Sequence, residues 1–172
     1  IKISAIDSII NTPVGEVYGP YLDNNSYALA RLMDVKNLPD SVRIRHILVA
    51  THDRDQQTDQ MVPVRLDADA KKLVDSLANA IKSGTRFDSA LVAQFSDDPG
   101  SKYKGGVYDK VPTGQMTDAF NDFIFTNPVG SKGVVKTEFG YHYIEILSQK
   151  GSSPAYKIAY FSKQILPSDQ TI

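Results

Sequence analysis

Residues 42–50, VRIRHILVA, place Val42, Ile44, His46 and Leu48 on one side of an alternating run, the pattern of a strand with one face turned to a core. Upstream lie Pro39 and Asp40. Downstream, THDRDQQTDQMVPVRL (51–66) is polar and carries Pro63, which predicts a long solvated loop. LDADAKKLVDSLANAIKSG (66–84) then spaces Ala70, Leu73, Val74, Leu77, Ala78 and Ile81 three and four apart, which predicts an amphipathic helix capped by Asp67 or Asp69 and stopped at Gly84. FDSALVAQF (87–95) reads as a second short helix, capped by Asp88, with Phe87, Leu91 and Phe95 inward. It ends at SDDPG. The Gly-rich SKYKGGVYDKVPTGQM leads to TDAFNDFIFTNPVG, a third helix capped by Thr117 or Asp118 and ended by Pro128 and Gly130. KGVVKTEFGYHYIEILSQK (132–150) reads as two strands joined by a turn at 138–140.

The chain has 172 residues, 41% hydrophobic and 23% charged, enough for one core or one core plus a fragment. A formal net charge of −1 leaves no global field for a phosphate backbone, which argues against nucleic acid as a partner. There is no cysteine, so neither a disulfide nor a thiolate nucleophile is available. His46, His52 and His142 lack metal-ligand spacing, and neither a metal nor a cofactor is expected. No apolar run reaches the length of a membrane span, and IKISAIDSII lacks a basic region followed by an apolar one. Any export signal or anchor of a parent protein is expected outside this piece.

Residues 1–38 read as strand, turn and strand, with too little apolar content for an independent core. They also echo the end of the chain. NTPVGEVYGPYLDNNSYALARLMDVK and TNPVGSKGVVKTEFGYHYIEILSQK align Pro13 with Pro128, Gly15 with Gly130, Tyr27 with Tyr141 and Lys36 with Lys150, with one residue of slippage. The expectation is an internal repeat, against the simpler alternative of two hairpins sharing turn chemistry. Residues 1–38 are then the tail of a preceding degenerate copy, 39–150 a complete domain, and 151–172 the start of a following segment.

In order and spacing, RHILVA, the amphipathic helix, SGTRFDSALVAQFSDDPGS, KGG, GQM, the Phe-rich helix, PVG and VKTEFGYHYIEIL resemble the parvulin family of peptidyl-prolyl cis-trans isomerases. The flanks are more similar to the multi-domain periplasmic folding chaperones of the PpiD and SurA type than to small cytosolic members. The resemblance implies an α+β fold, a twisted four-stranded antiparallel sheet with helices around it. It also implies rotation of X-Pro amides in unfolded or partly folded polypeptides, in the bacterial periplasm. Any membrane association would come through parts of the parent outside this chain.

By the same resemblance, His46 and His142 meet in the sheet beneath the site, where they support it, and Thr137 supplies a hydroxyl to the pair. The alternative is two core histidines that are merely satisfied. Met116 and Phe120, with Tyr108 where the family usually has Leu, match the apolar pocket for the proline ring, although Phe120 also suits ordinary core packing. Asp98 stands where the family carries Cys or Asp. A carboxylate is a poor nucleophile toward an amide, which favours an electrostatic role over covalent attack. Asp98 followed by Pro99 and Gly100 is equally a turn former.

Two departures bear on activity. The family stretch GGDLGW stands here as GGVYDK, and Val111 replaces an aromatic, which alters the pocket rim. The loop after the first strand sets Arg54 and Arg65 among Asp53, Asp55, Asp59 and Asp67, so specificity for phosphorylated substrates is not expected. The competing function is a parvulin-shaped chaperone module that binds extended segments without isomerising them. Ala28, standing where the later copy has His142, predicts no catalysis from the partial repeat.

Overall fold

A computed structural model describes residues 3–166. In chain order the elements are α1 (Ile3–Ile10), β1 (Val17–Asp23), β2 (Ser26–Leu38), β3 (Ser41–Ala50), β4 (His52–Arg54), β5 (Met61–Pro63), α2 (Asp67–Lys82), α3 (Ser89–Phe95), β6 (Val107–Pro112), α4 (Asp118–Thr126), β7 (Lys132–Thr137), β8 (Gly140–Lys150) and β9 (Ser153–Gln164). They form two units: 39–152, and the described residues on either side of it together. No helix among the described residues is long and apolar enough to cross a membrane.

The 39–152 unit is a four-stranded antiparallel sheet in the order β6-β3-β8-β7. Its central strands are covered on both faces, so β8 is nearly continuously buried from Gly140 to Ile146. On one face Ile47, Val49, Tyr141 and Tyr143 meet the stripe Ala70, Val74, Leu77 and Ile81 of α2. Full burial of a Val, Leu or Ile side chain contributes about 1.5–3 kcal/mol, so this stripe holds a helix that would be marginal alone. On the other face Ile44, Ile144 and Ile146 pack against Phe120, Ile124 and Phe125 of α4. Just before β6 the chain runs close alongside β3: His46 N donates to Gly106 O at 2.9 Å. Gly106 has φ +72, and a Cβ there would lie 2.4 Å from His46 O, so only glycine fits.

Several local expectations are corrected. The loop after β3 folds back as the short antiparallel hairpin β4–β5, pairing His52 with Pro63 and Arg54 with Met61. At its tip Asp55 accepts from the backbone N–H groups of Gln57 and Thr58, a turn chemistry that polar composition alone concealed. Neither Asp67 nor Asp69 caps α2; the cap position is Leu66, without a side-chain bond. Asp67 is drawn instead to the Tyr141 hydroxyl at 2.9 Å and to Lys136 at 2.8 Å. Asp88 does cap α3, accepting from Ala90 N and Leu91 N. Thr117 holds the cap position of α4 without a side-chain bond. Val111 lies in the core at 1% exposure and is not a pocket wall.

The second unit begins with a helix where strand and turn were expected. Ala5 and Ile9 of α1, four residues apart, bury against Ala30. Its sheet runs β1-β2-β9, in which Ser153–Gln164 lies antiparallel along β2. The two hairpins share geometry as well as sequence. Each has a two-residue loop, between Asp23 and Ser26 and between Thr137 and Gly140. Gly15 N donates to Leu32 O and Gly130 N to Ile146 O, both at 2.8 Å, with φ +91 and +88 at the two glycines. The pairing of β2 with β9 shifts register between Leu32 and Asp34, and that of β8 with β3 shifts between Ile146 and Ser148.

Ile144 is fully buried at the centre of the α4-facing layer. Ile144→Ala is expected to cost about 2–5 kcal/mol of unfolding free energy, read from denaturant melts. A loss within experimental error of zero would contradict this packing.

Candidate active site

Register places the two histidines. In the β3–β8 pair His46 lies opposite Ile144 and Leu48 opposite His142, so the rings are diagonal neighbours on the face that α4 covers. They are 3% and 6% exposed, with rings stacked at 5.3 Å and Nδ1 atoms 3.2 Å apart. Phe120, in the first turn of α4, sets its edge against both, at 5.5 and 5.2 Å. Thr137, at the end of β7, lies behind them with Oγ1 2.7 Å from His142 Nε2.

Asp98 comes from the loop after α3, which is pinned to β3. Asp97 N donates to Leu48 O, and Leu48 N donates to Ser96 Oγ, a fully buried hydroxyl. Four groups converge on the Asp98 carboxylate. Oδ2 meets His46 Nε2 at 3.0 Å and the Tyr108 hydroxyl at 2.8 Å, and it accepts a short hydrogen bond from Ser101. Oδ1 accepts from Gly100 N at 3.2 Å. Burial pushes the carboxyl upward, but the bonds from His46, Ser101 and Tyr108 outweigh it and hold Asp98 well below the ordinary carboxylate range. The Tyr108 phenol is pushed up to about 12, by burial first and then by Asp98.

An ionised Asp98 can only accept, which assigns the protons of the chain. His46 donates from Nε2 to Asp98. With both rings neutral, His46 Nδ1 is bare and accepts from His142 Nδ1–H. His142 Nε2 then accepts from the Thr137 hydroxyl, whose oxygen takes the Phe139 N–H at 3.2 Å. Each ring nitrogen has a partner along this path. The His142 ring is pushed down to about 3, chiefly by burial and then by His46, against the opposing pull of Asp98.

Above this chain opens a cleft of about 550 Å³. Met116, Phe120 and Tyr108, which pack in one apolar cluster, line it, as do Asp53, Arg65 and Asp97. The Arg65 guanidinium is already engaged, donating to Asp97 Oδ2 and Ala50 O, each at 2.8 Å. Thus the structure brings His46, Asp98, Tyr108, Met116, Phe120 and His142 to one cleft, with Thr137 behind it. His52 is exposed at the rim. Ser101, fully buried and 3.1 Å from His46 Nε2, escaped sequence reasoning, as did the reach of the Tyr108 hydroxyl. Only its place three residues after Asp98 in a turn hinted at Ser101.

The family model described as PPIC-type PPIASE domain matches residues 27–150. The chain belongs to the PpiC-type peptidyl-prolyl isomerase family. Chaperone SurA of Chromohalobacter salexigens is 33% identical over 140 residues, covering 77% of this chain and 30% of that protein. Chaperone SurA of Legionella pneumophila is 30% identical over 155 residues, covering 87% and 34%. The chain therefore spans about a third of the length of these relatives. Among solved structures, TbPIN1 is 25% identical with a TM-score of 0.53, covering 63% of this chain and 98% of that one. The peptidyl-prolyl isomerase ESS1 from Candida albicans, 22% identical with a TM-score of 0.55 and 63% of each chain covered, shows the shared fold.

Burial of neutral His142 has a pH consequence. Its pKa falls from 6.5 in the unfolded chain to about 3 in the fold, so the unfolded chain binds the proton first as pH drops. The stabilisation is complete above about pH 6.5 and is lost as pH falls toward 3. Asp98, also depressed, loses its contribution below the ordinary carboxylate range. Thermal melts should show Tm decreasing from pH 7 to pH 4, with a shallower decrease in His142→Gln. Equal slopes would refute the assignment.

Proposed function

We propose that this chain is a peptidyl-prolyl cis-trans isomerase acting on proline-containing segments of unfolded or partly folded polypeptides, and that it serves protein folding in the bacterial cell envelope. The observation that carries this reading is an apolar pocket of Met116, Phe120 and Tyr108 beside an ionised carboxylate fixed by the histidine chain. The barrier to amide rotation is about 20 kcal/mol and arises from C–N resonance. A resonant amide carries negative charge on its carbonyl oxygen, and the twisted amide carries less. A fixed anion near that oxygen therefore destabilises the planar state more than the twisted one. Rotation needs no proton transfer and no covalent intermediate. His46, His142 and Thr137 act through Asp98, as positioning residues.

The 1–38 hairpin is proposed to be a degenerate, non-catalytic copy of α4–β7–β8. Register puts Ala28 at the place of His142, and Tyr160, opposite Ala30, at the place of His46, opposite Ile144. Exchange NMR on an Ala-Ala-Pro-Phe peptide is expected to show acceleration by wild type and near loss with Phe120→Ala. Asp98→Ala should lower turnover by roughly 10–100-fold, the size of lost charge-assisted hydrogen bonding, while changing peptide affinity little. The Asp98→Ala, Phe120→Ala double variant should retain no exchange. If wild type binds the peptide without accelerating exchange, the reading becomes that of a chaperone module, favoured by the altered GGVYDK rim.

The charged lining of the cleft argues against phosphate recognition, since Arg65 is held by Asp97, and Asp53 adds a further carboxylate to the lining. A phosphoserine-proline peptide should be turned over more slowly than its unphosphorylated parent, with the gap narrowing as salt rises. Faster turnover of the phosphorylated peptide would reverse this conclusion.

A further inference from the structure

Tyr108 occupies a position where an apolar wall would suffice, yet its phenol oxygen passes the pocket and reaches Asp98 Oδ2 at 2.8 Å. Its backbone is fixed by pairing of β6 with β3 opposite Ile44, next to a register shift between Val42 and Ile44. Such irregularities re-aim side chains. The ring also leans on His46, at 5.5 Å. Gly100 completes the arrangement. Its backbone is not in the left-handed region, so conformation does not require glycine, but a Cβ there would lie 2.5 Å from the Tyr108 hydroxyl. Its next contacts would be ordinary, at 3.5 and 3.6 Å. The space left by Gly100 is the space the Tyr108 hydroxyl needs.

Resting on the isomerase reading above, we propose that Tyr108 is a positioning residue for amide rotation, acting through Asp98, and that Gly100 is present to admit its hydroxyl. With His46, Ser101 and Tyr108 around Oδ2, that oxygen has no room for a substrate donor or for nucleophilic attack. Oδ1, bonded only by Gly100 N among the described residues, is left to face the bound chain. Tyr108 thereby sets the carboxylate plane while its ring still walls the proline pocket. The two roles are separable, because phenylalanine keeps the wall and drops the bond.

The test is exchange NMR with kcat and KM resolved, on wild type, Tyr108→Phe, Gly100→Ala and the double variant, with thermal melts confirming that each is folded. Tyr108→Phe should lower kcat about tenfold, the size of one hydrogen bond to a charged group, with KM within about twofold of wild type. Gly100→Ala should give a similar loss by displacing the hydroxyl. The double variant should be no worse than the poorer single one, because both changes remove the same bond. Unchanged kcat in Tyr108→Phe, a loss confined to KM, or multiplying losses in the double variant would overturn the proposal. No acceleration by wild type would instead remove the isomerase reading, and this proposal with it.

Discussion

Pairing of β3 with β8 is the constraint on which the rest of the molecule depends. Its register sets Leu48 opposite His142 and His46 opposite Ile144, so two histidines 96 residues apart become diagonal neighbours on one face. A slip of one residue would send one ring to the face that α2 covers and leave the other unpaired in the core. The cost of such a slip is more than a lost site. The buried imidazoles satisfy each other, so separating them would leave unpaired polar groups in the interior, each costing about 1–3 kcal/mol. Packing and polar satisfaction therefore select the same register.

Among the described residues no Lys or Arg pairs with Asp98; the groups around it are His46, Ser101, Tyr108 and Gly100 N. A guanidinium would compensate the buried anion, and it would also cancel the anion's field in the cleft. Oriented donors stabilise the ionised form and leave its net charge acting on the pocket beside it. Asp97, the adjacent carboxylate, shows the contrast. Arg65 is paired with it at 2.8 Å, so of the two aspartates of SDD it is Asp98 that stands without a Lys or Arg partner among the described residues, beside Tyr108, Met116 and Phe120.

The sequence shows the helices and strands of 39–152 well, because alternation in 42–50 and the stripe in α2 report burial directly. The meeting of His46, Asp98 and His142 was legible only through the spacing of family motifs, since alternation says which face a residue takes and not which strand lies beside it. Ser101 and the Tyr108 hydroxyl were not legible. Each is fixed by a turn and a register shift whose geometry has no residue-level signature. α1 was missed because its burial rests on Ala5 and Ile9, too few positions to establish a period. Asp67 shows a different limit: a side chain in position to cap its own helix bonds to Tyr141 of β8, and long-range partners are invisible to local rules.

The two units separate frame from chemistry. Both contain a helix followed by a glycine-anchored turn, a hairpin with a two-residue loop, and a further antiparallel strand with a register shift at the corresponding place. In the smaller unit that further strand is β9, from beyond the larger unit, whereas β3 precedes its own hairpin. Strand order along the chain therefore matters less to this frame than the bonds that pin it, namely the Gly15–Leu32 and Gly130–Ile146 contacts. The chemistry does not come with the frame. It requires an imidazole at both facing positions, an aromatic edge at the place of Phe120, and a separate loop to bring in a carboxylate. The smaller unit has Ala28 and Tyr160 at the two facing positions and, with the Pro13–Pro128 offset carried back along the helix, Ala5 at the place of Phe120; Ala5 and Ile9 pack on Ala30 as Phe120 and Ile124 pack on Ile144. With no imidazole at either facing position and no aromatic residue on the helix opposite them, the smaller unit has the frame and lacks the groups that would hold a carboxylate.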